Sequence, residues 1–422
     1  RSGLTVTGVS PGAAKAGRTV FVFGSGYASG NGNTTVTVNG VQAPSVQVQT
    51  SDMLSFTVPR GATSGPLKVL VRGATTGAAG WLNIPADDGY GETWVKPDES
   101  GIPNDNAGRM IRYGKELLTK TNHYFNVLKV RPGYSTGNDL NCTSCHLGEG
   151  TTASSSSFAA VFLKYGGSGP YFARAGRHLD TAGRIQGCLQ RSMNAQAQVL
   201  PEDSDEMKAM VAYLEWLATG IQVADWTQVK GQGFPAVPPL TRAADPVRGE
   251  RIYKTYCASC HGTDGLGMTQ VTGTVIPALW GPRSFNDGAG MFRPRTAVEF
   301  IRANMPLGKA VPWNPSTQLS IEDAWDVTSY VVYQDRPVWF NRASDWSCGH
   351  SGPDGVPDWM RKAPDAGYGP YRPRWTGREY TCGDAPPAFD EARHKYGPWQ
   401  DMLTLQTRII NDYKACGRSP CP

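Results

Sequence analysis

Two short segments of this 422-residue chain share one pattern, in which two cysteines are separated by two residues and followed directly by a histidine. In such a segment the thiols add to the haem vinyl groups as thioethers, and the histidine becomes an axial ligand of the iron. A zinc site would not need a histidine after each pair, and a redox dithiol would lie in a βαβ pattern that is absent here. The pattern therefore predicts two covalently bound haem c groups. The residues are Cys142, Cys145 and His146 in the first segment and Cys257, Cys260 and His261 in the second.

Each predicted iron needs a ligand on its other face, and that ligand tunes its potential. Met305 stands in an Asn-Met-Pro sequence 44 residues after His261, and we prefer it to Met291 as the second ligand of that iron. Cys188 lies 42 residues after His146, at nearly the same offset, and is predicted as the corresponding ligand of the first iron. The alternatives are apolar packing for either methionine and a buried free thiol for Cys188.

The sequence around Cys188 is rich in cations and hydrogen-bond donors. The guanidinium fork of arginine matches planar and tetrahedral oxyanions, so this segment is a candidate anion site. Pairing of the same arginines with haem propionates is the alternative, and both uses stay open. The donors are Arg174, Arg177, Arg184, Gln186, Gln190, Arg191, Ser192 and Asn194.

Composition and charge indicate which partners and which cellular location to expect. The formal charge is only +5 and there is no basic run, so no nucleic-acid partner is predicted. The chain contains no stretch of 18 apolar residues, so no membrane span is predicted. The chain begins at Arg1, and haem c is attached outside the cytoplasm, so we expect an exported protein that works in the periplasm or at the cell surface. Four further cysteines are expected to form two disulfides there, with Cys348–Cys382 and Cys416–Cys421 preferred among three possible pairings.

The order of patterns along the chain predicts several successive regions. Residues 1–85 carry short alternating apolar runs separated by Gly, Pro, Asn and Ser, which indicates a β-sandwich of the immunoglobulin class. Residues 104–222 and 243–340 have helical periodicity around the two Cys-x-x-Cys-His motifs, including an apolar stripe over 110–118 and a helix capped by Ser204. They predict two mainly α cytochrome c domains in tandem. Linkers are expected at 86–103 and 223–242, and an irregular, disulfide-bearing extension at 341–422.

Residues 1–85 resemble the IPT/TIG family. The resemblance rests on residues 9–12 (Val-Ser-Pro-Gly), 17–24 (Gly-Arg-Thr-Val-Phe-Val-Phe-Gly), 38–40 (Val-Asn-Gly) and 58–61 (Val-Pro-Arg-Gly). It implies a spacer or docking module with a possible protein partner and no catalytic residues.

Residues 104–340 resemble the dihaem thiosulfate dehydrogenase family. The block over 184–194 (Arg-Ile-Gln-Gly-Cys-Leu-Gln-Arg-Ser-Met-Asn) is the most discriminating part. The resemblance implies that two thiosulfates are oxidised to tetrathionate, or the reverse, at a Cys-ligated haem, and that electrons leave through a His/Met haem to an acceptor such as another cytochrome c. It assigns Cys188, Arg174, Arg184 and Ser192 to the catalytic site and Met305 to the second iron. Some relatives carry a lysine before this methionine that can compete for iron, and here the residue is Asn304. The other matching segments are 112–118, 140–147, 206–216, 257–262, 279–281, 284–291 and 324–330.

A second class of function fits the same residues. In a non-catalytic electron carrier, Cys188 would only set the potential, and the β-domain would dock the protein to a larger redox or surface assembly. Reduction of the haem by thiosulfate itself would separate an enzyme from a carrier.

Overall fold

The computed structural model describes an N-terminal β-region and two helical regions. The described residues are 3–10, 12–28, 34–72, 74–75, 80–84, 89–172, 177–269, 275–332 and 334–341. The predicted disulfide-bearing extension, with Cys348, Cys382, Cys416 and Cys421, lies outside the described residues apart from its first position. Within the described part, no helix combines the length and the apolarity needed to cross a membrane.

The N-terminal region is a β-sandwich of two antiparallel sheets. Its strands are β1 (Thr5–Ser10), β2 (Thr19–Ser25), β3 (Thr34–Val38), β4 (Val41–Gln42), β5 (Val46–Val48), β6 (Met53–Thr57), β7 (Gly65–Val71), β8 (Ala74–Thr75) and β9 (Gly80–Leu82). One sheet has the order β1-β2-β6-β5 and the other β4-β3-β7-β8, with β9 also paired to β7. Val20 and Val22 of β2 share a fully buried core with Val36 and Val69 of the facing sheet. This alternation of buried and outward residues confirms the predicted β-sandwich.

The first helical region is built on two helices that cross closely. Its elements are α1 (Asn106–Thr119), α2 (Thr181–Arg191) and α3 (Asp205–Ala218), with short turns at His123–Val127, Cys142–Ser144, Leu147–Gly150 and Val161–Lys164 and a hairpin of Tyr171–Phe172 with Arg177–His178. A side chain at Gly114 of α1 would overlap the Ala209 carbonyl of α3, so glycine permits the crossing. The predicted cap is present, because the Ser204 hydroxyl accepts a hydrogen bond from the Met207 N–H at 3.2 Å.

The second helical region repeats this crossing. Its elements are α4 (Pro246–Tyr256), α5 (Pro294–Asn304) and α6 (Ile321–Val332), with short turns at Ala258–His261, Gly290–Phe292 and Pro315–Thr317 and a hairpin of Met268–Thr269 with Val275–Ile276. Gly249 of α4 lies against the backbone of Asp326 in α6, as Gly114 lies against that of Ala209. Tyr253 and Trp325 are fully buried at the centre of this region's core.

The two helical regions and the sandwich pack against one another. Phe285 and Ala289, from the second region, belong to the core of the first. The Asn286 amide donates to the Gln190 carbonyl at the end of α2, at 2.9 Å. Both predicted linkers are packed as well, because one contributes the buried Trp94 to the first core and the other contributes Val237 to the second.

Candidate functional site

The first Cys-x-x-Cys-His segment is held against the end of α1. The Thr121 hydroxyl accepts a hydrogen bond from the Cys142 backbone N–H at 3.1 Å, and lies 3.3 Å from the Cys142 sulfur. The Asn141 side chain accepts from the Asn122 N–H at 3.0 Å. Burial raises the pKa of both Cys142 and Cys145 to about 12, so these thiols are protonated and apolar in this pocket.

The His146 ring is oriented by a backbone carbonyl. Its Nδ1 donates to the Ser156 oxygen at 2.5 Å, and the Phe158 ring lies 4.5 Å from the imidazole, centroid to centroid. A histidine whose Nδ1 donates to a carbonyl has a fixed ring orientation and turns Nε2 to its other side, which is the usual arrangement of a metal-binding imidazole. The sequence motif did not reveal Ser156, because a backbone acceptor has no side-chain signature.

Cys188 lies in the middle of α2, one turn after Arg184. The Asp180 carboxylate begins this helix by accepting from the Gly183 N–H at 2.8 Å. Residues four apart share a helix face, and here Arg184 Nη1 donates to Cys188 Sγ at 2.7 Å. Tyr165 borders the same guanidinium, with its ring centroid 5.9 Å from the Arg184 Cζ. Helix geometry therefore aims a cation directly at the cysteine sulfur.

The structure brings Cys188 together with the first motif. Burial opposes ionisation of Cys188, but the charge of Arg184 and the hydrogen bond with His146 outweigh it and lower the pKa of Cys188 to about 6. In turn, a Cys188 thiolate raises the pKa of Arg184 despite that group's burial, and it adds to the raised pKa of Cys145. A residue 42 positions further along the chain thus lies within hydrogen-bonding reach of His146, and its role as an iron ligand stays a prediction.

These residues suit a covalently bound haem c. The buried Cys142 and the half-buried Cys145 stand at the attachment spacing, and a histidine is fixed through Nδ1. A soft sulfur donor of lowered pKa faces that histidine. Imidazole and thiolate are both established axial ligands of haem iron.

The second Cys-x-x-Cys-His motif resembles the first in how its cysteines and histidine are held. Cys257 caps the C-terminal end of α4, and His261 is the last residue of the short turn that follows. The His261 Nδ1 donates to the Pro277 carbonyl at 2.8 Å, and burial lowers the pKa of the ring, although this bond opposes the shift. Both histidines are therefore oriented by carbonyls, 10 and 16 residues further along the chain.

The two methionine candidates lie in different surroundings. Met305 is the residue that follows the last turn of α5, where its backbone N–H donates to the Ile301 carbonyl at 2.8 Å. Met291 packs against the core of the first helical region. That packing gives Met291 an apolar structural role and favours Met305 as the ligand candidate in the second region.

The remaining predicted site residues are only partly described. Ser192 caps the end of α2, one turn after Cys188, and its N–H donates to the Cys188 carbonyl at 2.7 Å. Arg174 lies outside the described residues. Tyr165 was missed by sequence reasoning, because it lies 19 residues before Arg184 and no local pattern connects the two.

Comparison with known proteins places this arrangement in a family. A family model described as cytochrome c oxidase, cbb3-type, subunit III matches residues 244–331, and an IPT/TIG domain model matches residues 4–83. A thiosulfate dehydrogenase of Thiomonas intermedia is 36% identical over 255 residues, which is 60% of this chain and 74% of the relative. One from Allochromatium vinosum is 37% identical over 251 residues, 59% of this chain and 86% of the relative. The chain belongs to the thiosulfate dehydrogenase family of oxidoreductases.

A solved structure supports the same assignment. The thiosulfate dehydrogenase (TsdBA) of Marichromatium purpuratum, in its as-isolated form, matches with a TM-score of 0.53 and 37% identity. The match covers 62% of this chain and 53% of that one, so this chain spans about half the length of the solved protein. The family and the cytochrome model together imply haem c as the cofactor, and the IPT/TIG match confirms the predicted identity of the β-domain.

Proposed function

We propose that this chain oxidises two thiosulfates to one tetrathionate, or runs the reverse reaction, with two haem c groups in two cytochrome c domains. In the first domain, over residues 104–222, His146 and Cys188 would hold one haem iron. In the second, over residues 243–340, His261 and Met305 would hold the other. The observation that carries this proposal is the contact between Arg184 and Cys188 opposite the oriented His146.

The reaction requires two electrons and the approach of two anions. Joining two thiosulfate dianions through a new sulfur–sulfur bond releases two electrons, and two haems supply one-electron acceptors for both. Two dianions repel each other, so a cation at the meeting point lowers the barrier. Arg184 has five N–H donors and uses some of them on Cys188 and on the Tyr165 side chain, which leaves others that can bind a sulfur oxyanion. Arg174 and Ser192 are proposed as its partners in binding substrate.

The second domain fits the role of an electron exit. His261 and Met305 would hold the haem of this domain, and a His/Met pair would supply a higher potential than a pair with thiolate, as an electron acceptor for the first domain requires. We propose a soluble or membrane-bound acceptor, such as another cytochrome c, and a site of action outside the cytoplasm.

A non-catalytic electron carrier is the competing function, and direct mixing experiments separate the two. Oxidised holoprotein mixed anaerobically with thiosulfate should show reduction of its haem bands and should form tetrathionate. Separately, reduced holoprotein mixed with tetrathionate tests the reverse direction. A protein whose bands respond to a chemical reductant but to neither sulfur compound is a carrier, and the enzymatic proposal would then be wrong.

A further inference from the structure

Strand β2 of the sandwich presents one face to the rest of the chain. Its alternate residues Val20 and Val22 are fully buried between the sheets. Thr19, Phe21 and Phe23 therefore share the opposite, outward face, and all three are only partly exposed. Something other than the sandwich covers this face.

The Phe23 ring covers the loop that follows Met305. Gly308 has φ +96°, and a methyl group at that position would overlap the Phe23 ring. Gly8, which pairs with Phe23 across the sheet, also lies beside the Gly308 carbonyl. The ring thus rests on the backbone three residues after the proposed ligand of the second iron.

The other end of the same face covers the loop that follows His146. A methyl group at Gly148 would lie 3.7 Å from the Thr19 Cβ, so β2 touches the chain two residues after the first haem's histidine. The neighbouring Arg18 guanidinium lies 4.5 Å from the Tyr90 ring centroid. The Tyr90 hydroxyl in turn donates to the Thr151 carbonyl at 3.0 Å. Contacts from β2 and from Arg18, the residue directly before it, therefore both reach the loop after the first motif.

The end of α5, directly before Met305, also contacts the loop that follows His146. The side-chain amide of Asn304, only 5% exposed, donates to the Ser154 carbonyl at 3.0 Å. Asn304 precedes Met305, and Ser154 lies two residues before Ser156, whose carbonyl orients His146. The backbone segments that carry ligands of both irons are thus joined directly and covered by one strand.

We propose that β2 of the IPT/TIG domain braces these two loops against each other, and that Phe23 is a positioning residue for Met305. This inference rests on the proposed ligation of the second iron by Met305. It gives the β-domain a function within its own chain, beside the spacer or docking role that the sequence suggested for the domain. An aromatic ring packed on a glycine backbone restrains that segment by contact and by excluding water.

The test uses the holoprotein and two readouts that do not depend on turnover. The first is the red charge-transfer absorption of methionine-ligated ferric haem, followed during heating. The second is amide hydrogen exchange over residues 305–310. Phe23→Ala should lose the absorption at a lower temperature and speed exchange in that segment about tenfold, which corresponds to about 1.4 kcal/mol. Phe23→Leu, which keeps an apolar side chain on this backbone, should behave much closer to the wild type in both readouts.

Leu70→Ala is the matched control, because Leu70 also points outward from the sandwich and is 37% exposed. It should leave both readouts unchanged. Equal behaviour of Phe23→Ala and Leu70→Ala would overturn the proposal. If Phe23→Ala also speeds exchange within β7, the substitution has destabilised the sandwich itself. A double-mutant cycle with Gly308→Ala then distinguishes that effect from loss of the contact at residue 308. The two changes must then be non-additive, because removing the ring relieves the overlap created at residue 308, and additivity would overturn the brace.

Failure of the ligand assignment has a different signature. If Met305→Gly keeps the charge-transfer absorption, Met305 is not the ligand, and the proposed ligation is wrong. The exchange readout of Phe23→Ala would still report whether the brace exists. If Met305→Gly loses the absorption while Phe23→Ala behaves as the wild type in both readouts, the ligation holds and the brace is wrong.

Discussion

The two helical regions share one scaffold and differ in the side chain that faces the histidine. In each, a glycine of the first helix lies on the backbone of the closing helix, at Gly114 and at Gly249. In each, the motif histidine donates through Nδ1 to a carbonyl further along the chain. The shared features concern attachment and orientation of the proposed haems, so they do not by themselves distinguish a catalytic site from an electron relay.

The difference lies in charge. Cys188 stands within a helix and is held by Arg184, whereas Met305 follows the end of a helix and carries no titratable group. A thiolate with a cation beside it can meet an anionic substrate, and a neutral thioether offers only a ligand. The comparison therefore supports the proposal that substrate chemistry takes place in the first region and electron transfer in the second.

The largest effect is expected from removing the feature that separates the regions. Cys188→Gly should abolish the low-spin thiolate signal in electron paramagnetic resonance. It should also lower activity at least about hundredfold, since even the outer partners of metal ligands contribute about 10–100-fold. Met305→Gly serves as the control and should keep the thiolate signal. An unchanged spectrum in Cys188→Gly would refute the assignment of Cys188 as a ligand.

Arg184→Gln tests the charge alone. Losing a charge-assisted contact to a bound dianion costs about 1.5–3 kcal/mol, so kcat/KM for thiosulfate should fall about ten- to a hundredfold. Activity of the unmodified protein should also fall with rising salt, because screening weakens attraction between charges. Arg109→Gln, an exposed change on α1, is the control. A normal KM with a shifted haem potential would instead indicate that Arg184 serves a propionate, and would favour the carrier.

The second helical region also contains a buried carboxylate that is paired with two arginines. Asp326 is completely buried on α6 and accepts hydrogen bonds from Arg242 at 2.9 Å and from Arg248 at 2.6 Å. Burial alone would raise the pKa of this carboxyl, but the bonds from Arg242, the Asp245 N–H and Arg248 outweigh it and lower the pKa. Asp326→Asn should therefore reduce the free energy of unfolding at neutral pH by about 2 kcal/mol.

The pH dependence of that effect has a definite sign. A carboxyl whose pKa is lowered by folding stabilises the protein above its unfolded pKa, which is about 4, and loses that contribution as the pH falls. The gap between wild type and Asp326→Asn should shrink in denaturant titrations below about pH 4. Asp323→Asn, at a more exposed partner of Arg248, should cost less. A gap that stays constant with pH would contradict the ionic origin of the stabilisation.

The smallest expected effect distinguishes the two methionines. Met305→Gly should lower the potential of the higher-potential haem, because His/Met ligation raises it, and should slow electron exit more than substrate binding. Met291→Gly should leave both potentials in place and reduce stability, since Met291 packs in the first core. Redox titration of the two variants shows which methionine is the ligand of the second iron. The opposite pattern would make Met291 that ligand.

Local sequence patterns were sufficient for the elements and the attachment motifs. The β-sandwich followed from alternating apolar runs, and the helix capped by Ser204 followed from its cap and periodicity. The residues of each Cys-x-x-Cys-His motif are neighbours in the chain, so the motif can be recognised without knowledge of the fold. The i, i+4 relation of Arg184 and Cys188 was also present in the sequence, because helix geometry places such residues on one face.

Only the tertiary structure decided which distant groups meet. The carbonyls of Ser156 and Pro277 that orient the histidines are backbone atoms, which no residue type signals. The predicted linkers are packed segments, and β2 contacts loops about 130 and 285 residues away, at Gly148 and Gly308. Such contacts depend on the path of the whole chain, because their stabilisation comes from surfaces that are formed only after each region has folded. The sequence therefore determined the chemistry available to this protein, and the fold determined how its groups are held together.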